Sequence, residues 1–190
     1  MKRLFLLALL FTLTVYLPSF GQTVALKSNL LPAIQGTLNA GVEFGLGRRT
    51  TLEGYGSVRP WERKEKSVNK YWLLQTEIRH WMCQKFNGTF VGGFINGAQF
   101  NVGGKSLPFG LFSDLKEHRY EGYLLGAGAT IGHQLLLDHH WNVEFSISAG
   151  YEYIHYERYR CPREWSLLDK KDNYHYIGPT KAAISLIYLF

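Results

Sequence analysis

Eight ionisable side chains fall at alternating positions of strand-like segments, each on the face opposite an apolar one: Lys27, Glu43, Glu53, Glu77, Arg79, Glu144, Glu152 and Lys181. Residues two apart on a strand share a face. Five carboxylates and three cations gathered on one side of a sheet have two chemical uses. They can pass protons or ions along a chain of carboxylates, or they can pair off into a fixed network. Leaving a buried charge unpaired costs several kcal/mol. That cost favours the network, a polar, hydrogen-bonded plug with no open pore.

A second candidate is His155, three residues after Glu152. Some small outer-membrane barrels are enzymes on lipopolysaccharide acyl chains and use His, Ser and an acid near the outer rim. A lipid-A-modifying activity here would rest on this pair. No serine lies at short strand spacing from His155, and Ser148 points inward at mid-depth, so the set lacks its nucleophile. The run Gly126-Ala127-Gly128-Ala129-Thr130-Ile131-Gly132 is one residue too long for a dinucleotide fingerprint, and no helix follows it. Glycines on an inward face instead leave room for bulky neighbours. His139-His140 and the other histidines lack carboxylate or cysteine partners at metal spacing. No cofactor, metal or nucleic acid is expected. Cys83 and Cys161 are placed at opposite ends of the fold, roughly 25 Å of apolar band apart. A disulfide tolerates no more than about 7 Å between Cα atoms, so both are expected as free thiols.

Positioning such a set requires strands. Twelve Tyr, twelve Phe, five Trp and twenty Gly suit strands better than helices. Period-two segments mark eight of them, near 23–31, 37–46, 50–59, 70–82, 89–102, 120–135, 142–153 and 180–190. Short turns follow the second, fourth and sixth, the fourth through Asn87-Gly88. Long loops are expected over 60–69, 103–119 and 158–176. An even strand number, with short turns at one end and longer loops at the other, is the pattern of bacterial outer-membrane barrels. The interior of an eight-stranded barrel is just wide enough for side chains to fill. Phe90, Phe94, Ala98 and Phe100 share one phase. Trp81, Phe86, Trp141 and Phe190 are expected in the inner aromatic girdle, with Trp72, Tyr120, Tyr153, Tyr156 and Tyr159 in the outer one. The outer loops supply a basic rim of Arg59, Arg63, Lys64, Lys66, Arg158, Arg160 and Arg163. Such a rim suits lipopolysaccharide phosphates or an acidic partner, or stands solvated.

The two ends specify location. Met1-Lys2-Arg3, an apolar run over 4–17, and Ser19 with Gly21 before Gln22 read as a cleaved signal peptide, too short to span a bilayer. No cysteine follows to carry a lipid anchor, and a formal charge of +6 makes the chain only mildly basic. At the other end Ala182, Ile184, Leu186, Tyr188 and Phe190 form one apolar face. That ending resembles the assembly signal of outer-membrane barrels, with Tyr188 and Phe190 read by the barrel-assembly machinery. The expected organisation is a signal peptide over 1–21 and one domain over 22–190. The expected fold is all-β: an eight-stranded antiparallel transmembrane β-barrel of the cell outer membrane, monomeric, among outer-membrane lipid and lipopolysaccharide.

Lys27-Ser28-Asn29-Leu30-Leu31, Gly41-Val42-Glu43-Phe44-Gly45-Leu46-Gly47 and Trp81-Met82-Cys83-Gln84-Lys85-Phe86-Asn87-Gly88 resemble a Bacteroidetes family catalogued as domain of unknown function 3575. Asn101-Val102-Gly103-Gly104, Gly126-Ala127-Gly128, Trp141-Asn142-Val143-Glu144-Phe145 and Gly150-Tyr151 extend the likeness over nearly the whole mature chain. Pro32 departs from it, standing where an aromatic is expected. The resemblance implies an outer-membrane protein of Bacteroides-like bacteria, whose relatives often lie near fimbrial genes; it implies no activity and no functional residues. A non-enzymatic barrel with a structural or surface role, linked to fimbrial assembly and fimbrial proteins, leads the readings. A lipid-A-modifying enzyme, a small-solute porin and a soluble lipocalin-like binder, whose outward aromatic faces would turn inward, are the alternatives.

Overall fold

Strand follows strand around one antiparallel sheet. The computed structural model describes residues 24–60, 69–103, 118–160 and 167–190. In chain order these form β1 (Val24–Asn29), α1 (Leu30–Ile34), β2 (Leu38–Gly45), β3 (Thr50–Arg59), β4 (Asn69–Trp81), β5 (Gly88–Gly103), β6 (His118–Leu136), β7 (Trp141–Arg160) and β8 (Leu167–Leu189). Each strand pairs with its sequence neighbours, and β8 returns to β1, placing Ala25 opposite Leu189 and Asn29 opposite Ser185; the sheet is closed. The expected signal peptide lies outside the described residues.

β1 ends two residues before its predicted limit. Asn29 caps α1, its Oδ1 accepting from Leu31 N at 3.1 Å. Pro32, which has no N–H to give a strand ladder, is tolerated in a first helical turn. β7 and β8 differ more, because their pairing runs on through the expected loop as far as Arg160 opposite Leu167. No apolar alternation marks that stretch. Its ladder is held by polar cross-strand contacts such as Lys171 to Glu157, 2.9 Å.

The register sets the tilt. Following it from Lys27 leads through Gly41, Tyr55, Gln75, Asn96, Gly126 and Glu152 to Tyr176, whereas Lys27 itself pairs with Ile187. That displacement is the stagger a closed, tilted barrel requires. The wall is also uneven. The strands lengthen in order, 6, 8, 10, 13, 16, 19, 20 and 23 residues. One side is therefore low, at β1 and β2, and the other tall, at β6 to β8.

The two faces of the sheet are inverted relative to a protein core in water. Lys27, Glu43, Glu53, Gln75, Glu77, Arg79 and Glu144 are buried inside. Leu74, Ile95 and Ile177 stand outside, 61%, 66% and 83% exposed. Trp72, Trp141 and Phe190 face outward. Trp81 and Phe86 do not: both are buried and pack at the short-turn end with Ala25, Phe90, Ile187 and Leu189. Phe86 reaches that position from a left-handed backbone conformation, φ 62°, which tucks its ring under the barrel. Tyr120 is buried too, its ring 5.5 Å from that of Tyr156. On β5, the phase of Phe90, Phe94 and Ala98 is the inward one.

Candidate functional site

The ionic cluster is assembled by five strands at one level of the lumen. Period-two spacing aims Lys27 of β1, Glu43 of β2, Glu53 of β3, Glu77 and Arg79 of β4 and Glu144 of β7 at a common centre. Lys27 Nζ contacts Glu43, lies 3.2 Å from Glu53 and 2.7 Å from Glu144. The Arg79 guanidinium contacts Glu53 and lies 2.9 Å from Glu77, 3.2 Å from Glu43 and 2.8 Å from Glu144. One planar fork with five donors can serve four carboxylates in a way a lysine ammonium cannot. Arg79 also lies over the Phe90 ring, 4.4 Å from its centroid.

Neutral donors extend the ring. Gln75 Nε2 donates to Glu77 at 2.8 Å, and Thr130 Oγ1 donates to it at 3.2 Å while contacting Ser148 at 2.9 Å. Beneath, the Trp81 indole donates to Thr51 Oγ1 at 2.9 Å. The interior is thus a polar layer resting on a mainly aromatic and aliphatic floor, beside which Gln134 and Asn142 are also buried. β6 makes the space. A Cβ on Gly132 would stand 2.5 Å from Phe90 Cζ, and one on Gly128 2.7 Å from Phe94 Cζ. One on Gly126 would overlap the Glu152 carboxylate.

Two of the eight predicted lumen charges stand apart from the ring. Glu152 lies further toward the long-loop end and accepts from Asn96 Nδ2 at 2.9 Å. Lys181 stacks its ammonium over the Tyr55 ring, 4.4 Å from the centroid. Glu152 and His155, three apart on β7, point to opposite faces of the strand. Glu152 faces inward, and His155 Nδ1 meets Asn173 Oδ1 at 2.6 Å on the other side. The geometry does not bring that pair together.

The basic rim is only partly described. Arg59 ends β3 at the long-loop end, on the inward phase and only 5% exposed. Arg158 lies near the long-loop end of β7, and Arg160 is that strand's last residue. Arg63, Lys64, Lys66 and Arg163 lie outside the described residues, as does Cys161, while Cys83 is an exposed free thiol. Tyr188 and Phe190 stack edge to face outside the closing strand, 4.9 Å apart. Among the described residues no three His, Cys, Asp or Glu side chains converge as metal ligands do. The supporting donors Thr130 and Asn96 were not singled out from the sequence. The Gly126-Gly128-Gly132 phase contains Thr130, so the signal for that one was present.

Fold and site together define an all-β protein whose closed antiparallel sheet surrounds an ionic interior. The chain belongs to the family described as Protein of unknown function (DUF3575), whose model matches residues 4–190. No curated protein matches it.

Proposed function

We propose that this protein is an integral β-barrel of the outer membrane. On this reading it has no catalytic activity, the ionic ring closes its lumen, and its long-loop end has a structural or surface-interaction role. The inversion of the two faces carries the reading. In water, each exposed Leu or Ile forgoes about 1.5–3 kcal/mol of burial, while desolvating each lumen ion costs several kcal/mol more. Surrounded by hydrocarbon, the outer face becomes favourable, and a closed sheet leaves no backbone edge to lipid over its paired length. The short turns after β2, β4 and β6 would face the periplasm and the longer connections the outside. Lipopolysaccharide would surround the outer end, the assembly machinery would read Tyr188 and Phe190, and fimbrial proteins are the partners proposed for the outer loops.

Single-tryptophan variants in vesicles of brominated lipid test the embedding. Fluorescence from Trp72 and Trp141 should be strongly quenched, and that from Trp81 should not. Equal quenching of all three, or recovery of the folded protein from cells without detergent, would remove the proposal. The surface role has its own test. Loop deletions should alter adhesion or fimbriation, and no effect on either, or on envelope integrity, counts against it.

A further inference from the structure

We infer that the outward face of β4 to β7 binds the phosphorylated sugar headgroup of a glycolipid, with an acyl chain in the glycine valley below it. This rests on the outer-membrane reading above. A cross-strand row faces outward near the long-loop end: Trp72 beside Gln99, Gln99 beside Tyr123, Tyr123 beside His155. The Trp72 indole donates to Gln99 Oε1 at 2.9 Å, and the Tyr123 and His155 rings lie 5.2 Å apart. One step further out runs a second row, Asn101, Glu121, Glu157 and Lys171. Arg119 braces it, donating to Asn101 at 2.8 Å and to Glu121 at 3.1 Å. With Lys70 and Tyr159, the two rows line an open groove of about 640 Å³.

The lining is stratified by chemistry. The lower row offers aromatic rings, the faces on which the C–H surface of a sugar packs. The upper row offers amide and carboxylate oxygens for hydroxyls, with Lys70 and Lys171 as ammonium groups for a phosphate, Lys171 sharing its protons with Glu157, 2.9 Å away. Below the groove the surface turns apolar and corrugated. Gly56, Leu74, Gly97 and Leu125 are opposite one another on successive strands. Leu74 and Leu125 form ridges, and Leu125 Cδ2 lies 3.3 Å from where a Gly97 Cβ would stand. The ridges rise from strands two spacings, about 9.5 Å, apart, and an acyl chain lying between them would turn the end of Leu125 off Gly97. A ligand with sugar hydroxyls and a phosphate above a hydrocarbon tail matches both layers. Phosphatidylethanolamine lacks the hydroxyls that the upper row would engage.

The test uses the full-length barrel in detergent micelles, titrated separately with lipid A and with phosphatidylethanolamine and read by native mass spectrometry. Wild type should retain lipid A in preference. Gly97→Leu, which fills the valley, and the pair Trp72→Ala with Lys171→Gln should each weaken that retention about tenfold. Phe145→Ala, outward but far from the groove, should leave it unchanged. Heat-modifiable gel mobility verifies that each variant is folded. Equal retention of the two lipids by wild type, or lipid A retention unaffected in folded groove variants, overturns the inference. Either result with Trp72 still quenched by brominated lipid removes the glycolipid site and leaves the membrane barrel standing.

Discussion

Arg79 touches all four carboxylates of the ring, and its removal exposes the balance among them. Arg79→Met leaves Glu43, Glu53 and Glu144 to share Lys27 and leaves Glu77 with the neutral donors Gln75 and Thr130, and truncating one partner of a buried pair typically costs about 3–5 kcal/mol. The denaturation midpoint in micelles, followed by tryptophan fluorescence, should fall accordingly. Arg79→Lys should recover only part of the loss, because a point charge cannot serve diverging acceptors as the planar fork does. The charges in the ring were legible from the sequence because each interrupts an apolar alternation. Arg59 was not, although Val58 beside it marks the phase; a basic residue just before Pro60 and a charged stretch reads equally well as the start of a loop. Trp81 and Phe86 misled for the opposite reason, since an aromatic at a strand end suits a lipid interface and a lumen floor alike.

The glycine phase of β6 exists for the aromatic phase of β5. Gly132→Val puts a branched side chain against Phe90 and against Phe145 O, 2.9 Å from the Cβ position, and overpacking costs about 1–3 kcal/mol. Adding Phe90→Ala should return part of that stability, and a double-mutant cycle on the unfolding midpoints measures the coupling. Periodicity identified both phases of β5 but not which pointed inward, because Val91 and Ile95 on one face are as apolar as Phe90 and Phe94 on the other. The long-loop ends of β7 and β8 were illegible because they carry no apolar alternation. Glu157, beyond the outer aromatic row, is held below the usual carboxylate range by hydrogen bonds from Lys171 and Tyr159. A folded value below the unfolded one means the link is fully present above the ordinary carboxylate pKa and is lost as pH falls through the folded value. Glu157→Gln should mimic the acid state at neutral pH. Trypsin should then cut faster after Lys171, and an unchanged rate would show that backbone pairing alone holds this ladder.

On the scale of the molecule, a filled lumen predicts a quiet bilayer. Planar recordings of the proposed outer-membrane barrel should show no stable large conductance, and a persistent open level would mean that the ring and the Trp81–Phe86–Phe90 floor can part. Eight strands and their order were readable in the sequence; the slant of the wall was not, since strand length beyond the apolar band leaves no hydrophobic trace. That slant has a mechanical consequence. Among the described residues β1 is the shortest stave of the cask, joined to β2 over Val24–Lys27 and to β8 over Ala25–Asn29. Its backbone ladders are too brief to hold it as firmly as its neighbours hold one another. Lys27 supplies the missing fastening from within, a rivet driven from the thinnest stave through the lumen to Glu53 and Glu144 on other staves. Lys27→Met should therefore loosen one strand before it loosens the cask, with amide exchange rising first along Val24–Asn29 and the tall side still protected.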